Sequence, residues 1–141
     1  MTKRLKIILF MVFMIEASLD CDAQSLYNNS NMFVGKIESN GIVRDKSNMT
    51  IGKFESDGDV RDRNNMLVGK VEKDGTIRDR NNMTIGKVES DGTVRDCNNM
   101  TVGKVEFGGT VRDRNNMTIG YAKDIPVRQT AVFFFFNMFD R

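Results

Sequence analysis

Residues Asn81 to Cys97 read NNMTIGKVESDGTVRDC, and this 17-residue stretch recurs along the whole chain. Copies begin at Ser30, Ser47, Asn64, Asn81, Asn98 and Asn115. Five are complete, and the sixth breaks down after Gly120-Tyr121-Ala122-Lys123. Met is constant at 32, 49, 66, 83, 100 and 117, and Gly at 35, 52, 69, 86, 103 and 120. A second Gly recurs at 41, 58, 75, 92 and 109, followed by Arg-Asp at 44–45, 61–62, 78–79, 95–96 and 112–113. Such units bury their apolar faces only against neighbouring copies, so the repeat decides the fold.

Each copy holds two turn signals. Asp-Gly at 57–58, 74–75 and 91–92, with Asn40-Gly41 and Gly108-Gly109, predicts a two-residue hairpin turn with both central residues at positive φ. Asn-Asn at 64–65, 81–82, 98–99 and 115–116, or Ser-Asn in the first two copies, predicts a second turn, because Asn tolerates the left-handed region. Between them lie a long strand (Met83–Ser90 in the fourth copy) and a short one (Thr93–Cys97). Both are rich in β-branched residues and neither fits a helical period.

Met83 and Ile85 share one face of the long strand, but Val88 falls on the other, and Gly86 stands at the break. Gly inside a strand marks a bulge or bend. The expectation is a set of hairpin petals hinged at Gly35, Gly52, Gly69, Gly86, Gly103 and Gly120. The Met residues would fill the inner convergence. The fold class is thus all-β, repeated hairpins closed into a flower; the alternative is a parallel β-solenoid with one turn per copy.

The ends of the chain read differently. Lys3, Arg4 and Lys6 precede the apolar stretch Ile7–Ile15, too short to span a bilayer but suited to a signal peptide, with cleavage expected after Ala23. The rival is lipoprotein processing at Cys21, which wants a small residue where Asp20 stands. The expected location is periplasmic or secreted. Cleavage at Ala23 leaves Cys97 without an internal disulfide partner; it occupies a position that is Lys46, Arg63, Arg80 or Arg114 in other copies, which reads as a tolerant surface site. The chain divides into a signal peptide (1–23), a lead-in (24–31), the hairpin repeat domain (32–122) and a tail (123–141). The tail carries TAVFFFFNMF from Thr130, expected to pack into the repeat domain as a final buried strand.

Units of the form IGKVESDGTVRDRNNMTIGY, followed by AVFFFF, resemble the bacterial five-fold β-flower proteins over roughly Met32 to Phe136. The resemblance implies five hairpin petals in pseudo-five-fold symmetry, in an exported protein, and brings no catalytic or binding residues with it. Asp59, Phe107 and Cys97 depart from the ideal unit.

Composition narrows the function. Net charge is +2, from 21 basic and 19 acidic residues, which is no footprint for nucleic acid. There is no His, and a near-identical repeat offers the same side chains five times, whereas catalysis needs an asymmetric constellation. The reading is therefore non-enzymatic, with no catalytic residue, cofactor or metal expected. The repeat lacks the calcium-binding loop patterns, and Asp45, Asp62, Asp79, Asp96 and Asp113 precede turns, where Asp bonds local backbone.

Two basic columns remain as candidate contacts for an anionic ligand: Lys36, Lys53, Lys70, Lys87 and Lys104, and Arg44, Arg61, Arg78, Arg95 and Arg112. Five-fold display could bind a glycan or cell-envelope surface multivalently. The plainer account is cross-strand pairing with Glu and Asp on a solvated wall. No transmembrane span is expected in the mature chain. Removing one copy, Asn64–Arg80, separates the two folds. A solenoid would shorten and still unfold cooperatively, whereas a closed ring would fail to fold, as read by circular dichroism.

Overall fold

Both turns of each copy close in the same way. Asn48 N–H donates to the Asp45 carbonyl and Asp45 N–H to the Met49 carbonyl, each at 3.0 Å. Across the other turn Gly58 donates to Glu55, and Glu55 to Asp59, at 3.1 and 2.8 Å. These are three-residue loops in which a right-handed turn is followed by one left-handed residue. That residue is the second Asn (φ 62–66°) or the Gly (φ 93–99°). The two-residue turn expected from Asp-Gly is thus corrected: the Asp keeps a negative φ, because the extra loop residue lets Gly alone absorb the strain.

The computed structural model describes residues 24–139, so the expected signal peptide and Cys21 lie outside the described residues. Twelve antiparallel strands run in chain order: β1 (Ser25–Asn28), β2 (Phe33–Ile37), β3 (Ile42–Asp45), β4 (Thr50–Phe54), β5 (Asp59–Asp62) and β6 (Leu67–Val71). Then follow β7 (Thr76–Asp79), β8 (Thr84–Val88), β9 (Thr93–Asp96), β10 (Thr101–Val105), β11 (Thr110–Asp113) and β12 (Thr118–Ala122), and one helix, α1 (Val127–Phe135). Each strand pairs with its sequence neighbours, and β1 pairs with β12, closing a barrel with no free edge. The solenoid is excluded.

Five hairpins come from the complete copies. The sixth is split: β12 supplies its long strand, and β1, from the stretch expected to be only a lead-in, supplies the short one. Leu26 faces Ala122 across that seam, as Val94 faces Val88 within the fourth copy.

Gly86 is not a hinge between separate petals. It pairs with Ile77 on one side and Asp96 on the other, so the wall is continuous there. The bulge expected at this point is present: Thr84 faces Arg78 and Gly86 faces Ile77, leaving Ile85 as the extra residue. Beyond the bulge the alternation is regular. Gly86 and Val88 turn inward and Lys87 outward. Each petal then contributes an inward cross-strand pair, such as Ile37 with Val43 or Phe54 with Val60, and these residues form the core with the tail.

The tail fills the barrel, but as a helix and a short extension rather than a strand. A closed barrel offers no edge to pair with, and a helix satisfies its own backbone groups. Thr130, fully buried, donates its hydroxyl to the Pro126 carbonyl at 3.1 Å. From Phe133 onward the side chains meet the constant glycines. Phe133 lies against Gly35, Phe134 against Gly120, Phe135 against Gly103, Phe136 against Gly86, Met138 against Gly69 and Phe139 against Gly52. The tail therefore makes one circuit of the lumen, one side chain per petal, passing over only Asn137.

The methionines of the repeat are not in that convergence. All six are 61–64% exposed at the Asn-Asn rim. Five of their N–H groups are held by Asp carboxylates of the turn, as Met49 by Asp45 at 3.0 Å, and that of Met32 by the Asn28 amide oxygen at 3.0 Å. The tail rings occupy the space expected for them. A Cβ at Gly86 would sit 2.5 Å from Phe136 Cε1, far inside the roughly 3.5–4 Å of normal carbon contact, with backbone on the other side. Gly86→Val should cost at least about 3 kcal/mol, beyond ordinary overpacking, read as a lowered urea midpoint.

Candidate functional site

The outer wall holds the residues that the sequence singles out. Arg44 donates from Nε to Glu38 Oε1 at 2.6 Å and from Nη1 to the Asn48 carbonyl at 3.3 Å and Thr50 Oγ1 at 3.0 Å. Arg78 and Arg112 repeat all three contacts, and Arg95 does so with Glu89, Asn99 and Thr101. Each Arg thus ties the end of one strand to the turn that follows it. The second copy is looser. Leu67 replaces the Thr, and Arg61 is shared between Glu55 at 3.6 Å and Asp59 at 3.8 Å.

This network explains the Lys column. Lys36, Lys53, Lys70, Lys87 and Lys104 stand directly across from Arg44, Arg61, Arg78, Arg95 and Arg112. Like charges facing each other across strands are unfavourable. Turning each guanidinium toward a Glu relieves that. Exposed pairs of this kind contribute only ~0–1 kcal/mol each. The columns do not converge: equivalent positions are two strands apart, about 10 Å along the wall. Lys87 and Lys104 are exposed, and the other three half-buried.

The turn aspartates are also engaged. Asp79 Oδ1 accepts N–H bonds from Asn81 at 2.9 Å and Met83 at 3.0 Å, and Asp45, Asp62, Asp96 and Asp113 do the same in their own turns. Among the described residues no group of three or more His, Cys, Asp or Glu is placed to hold a metal ion. Cys97 is exposed.

The split petal is different. Counted along the repeat, Tyr27 takes the Arg position, Phe33 the Thr position, Tyr121 the Lys position and Lys123 the Glu position. Tyr27 faces Phe33 on one side and Tyr121 on the other, making a row of three aromatics across β2, β1 and β12. The Tyr27 and Phe33 rings meet edge to face at 6.2 Å. Phe33 and Tyr121 remain about 40% exposed. Reading the sequence linearly hides this row, because its members lie at opposite ends of the repeat; the signal appears only when the copy is counted around the closed ring.

Two shallow clefts lie where the helix meets the Asp-Gly rim. One, about 250 Å³, runs between Arg128 and the turns at Ser56 and Lys73, and Arg128 donates to the Lys73 carbonyl at 2.8 Å. The other, about 170 Å³, is lined by Phe107 and Lys123 among others.

At the same rim Asp74 and Asp91 titrate below the usual 3.8, first because each carboxylate accepts a backbone N–H, from Thr76 at 3.0 Å and Thr93 at 2.9 Å, and then through the Thr hydroxyls. A depressed carboxylate stabilises the fold above its unfolded pKa and loses that contribution as pH falls through the folded value. Asn40 makes the same bond to Ile42 without a charge. Asp91→Asn should therefore keep the turn and flatten the decline in Tm below about pH 4, measured by thermal melts across that range.

No curated protein and no solved structure matches the chain. A family model described as 5-fold beta-flower protein matches residues 23–138, across every strand and the lumen helix. The five continuous hairpins fit that description, the sixth petal of the closed ring being split between β12 and β1, and the chain belongs to the 5-fold β-flower family.

Proposed function

We propose that the protein is an exported, non-enzymatic structural or binding module that works through the outside of its barrel. The observation that carries this is the filled lumen. Ala131, Val132, Phe133, Phe136 and Phe139 are at most 8% exposed inside the ring, so the place where a barrel would enclose a ligand is occupied by the chain itself. What faces outward is a regular wall of charge and hydroxyl groups and a rim of methionines. No helix among the described residues is long and apolar enough to cross a membrane.

A second reading is favoured by the Lys column. The arginines are committed to Glu and to turn carbonyls, while Lys87 and Lys104 extend into solvent, so a glycan or other anionic surface would meet lysines first. Repetition around the ring would then add avidity to weak single contacts. The Arg column is better suited to bracing the wall than to holding a ligand.

A glycan array probed at low and high salt separates the readings. Saturable binding to acidic glycans that weakens with salt supports the second, and silence across the array leaves the structural module. Mass measurement of the exported chain checks its processing, with an N-terminus at Gln24 expected. An N-terminus at a lipid-modified Cys21 would replace cleavage after Ala23 with lipoprotein processing.

A further inference from the structure

The repeat is broken in one place only in a concerted way. In the split petal all four members of the wall network differ at once: Tyr27 for Arg, Phe33 for Thr, Tyr121 for Lys and Lys123 for Glu. Elsewhere substitutions fall singly or in pairs and leave the Arg–Glu contact in place. We infer that this petal is a ligand platform for an acidic polysaccharide, with the aromatic row under the sugar rings and Lys36 and Lys123 meeting the carboxylates.

Register places these groups together. Phe33, Tyr27 and Tyr121 face one another on three adjacent strands, spanning about 10 Å at the usual strand spacing. Tyr27 and Tyr121 project from the outer wall, since their strand neighbours Leu26, Gly120 and Ala122 are buried, and Phe33, paired with Tyr27, is itself 40% exposed. Two residues along β1, Ser25 stands opposite Lys36, and its carbonyl accepts the Lys123 N–H at 3.0 Å. A row of rings with two cations beside it therefore lies on one face of the barrel.

Sealing the seam does not require this chemistry. The five continuous petals are braced by paired charges, four of them also by a Thr hydroxyl, and a cross-strand aromatic pair contributes only about 0.2–1 kcal/mol. Instead the seam leaves ring surface in solvent where every other petal presents a charged pair. Tyr supplies rigid contact area at low entropic cost together with a polar tip, which suits a ligand that is apolar on its C–H face and polar at its edge. Two lysines on a chain of net charge +2 favour spaced carboxylates over a dense phosphate backbone.

The proposal rests on the reading of the protein as a binding module and narrows it to one petal and one ligand class. The decisive variant converts the seam into a regular sixth petal: Tyr27→Arg, Phe33→Thr, Tyr121→Lys and Lys123→Glu together. Four petals already fold with all four of those residues, and circular-dichroism melts verify that this one does; Tyr121→Lys alone is the milder companion. Calorimetric titration of the full chain uses sodium polygalacturonate, neutral dextran and poly(dT). Tyr27 and Tyr121 are the only tyrosines, and Trp is absent, so tyrosine fluorescence reports on the site alone.

The expected result is saturable polygalacturonate binding with a fluorescence change. The four-residue variant should lose at least tenfold in affinity, Tyr121→Lys should weaken binding in the same direction, and dextran should not bind. Undiminished binding by the folded variants would overturn the platform while leaving the Lys columns as the anionic surface. No polygalacturonate binding by the native chain overturns both. Tighter binding of poly(dT) overturns the ligand class.

Discussion

An apolar side chain seated on a glycine, once in each petal, is the contact from which the rest of the structure follows. A ring of six hairpins leaves a lumen that its own Val and Ile side chains do not fill. The glycines open a shelf at the level where each long strand is bonded on both edges, and the tail lays one side chain on each shelf. Any residue other than Gly would place a carbon between the wall and the plug. The constancy of Gly across six copies is therefore explained by close approach on two sides, from the tail and from a cross-strand carbonyl 2.4–2.7 Å from where a Cβ would sit, and not by turn geometry.

That contact also explains the otherwise odd sequence FFFFNMF. Six apolar side chains serve six petals, and the interruption at Asn137 falls where the chain passes over the cleft lined by Asp62 and Arg80. Phe54 and Phe139 meet edge to face at 5.4 Å, so the one petal with an aromatic core residue is matched by the last ring of the tail. The symmetry of the wall is thus read out by a segment that has none.

The repeat, its two turns and the bulge beside Gly86 were legible in the sequence, because each depends on local chemistry repeated often enough to stand out; the closed ring came with the family resemblance, since the repeat alone fits a solenoid as well. Three features were not. The tail has strand-like composition but no strand edge to join, so the closed ring overrides its propensity. The methionines have core-like chemistry but sit next to a left-handed Asn at a solvent-facing turn. Residues 25–28 share with the short strands only an inward apolar residue, Leu26, so their membership shows once β12 needs a partner. On the wall, the Glu and Arg six positions apart in every complete copy could have been paired from spacing alone. The aromatic row could not, since it exists only across the closure.

Splitting one petal between the two ends of the barrel has a kinetic meaning. The contact of Leu26 with Ala122 spans almost the whole described chain, and such non-local pairings are slow to form because the intervening loop must be closed first. Neither the ring nor its plug can be completed until β12 and the tail have been synthesised. Until then β1 is an unpaired edge and the lumen is unfilled, and short hairpins are at best marginally stable by themselves. The architecture thus holds back its own closure until the last strand of the ring and the tail beyond it have been made.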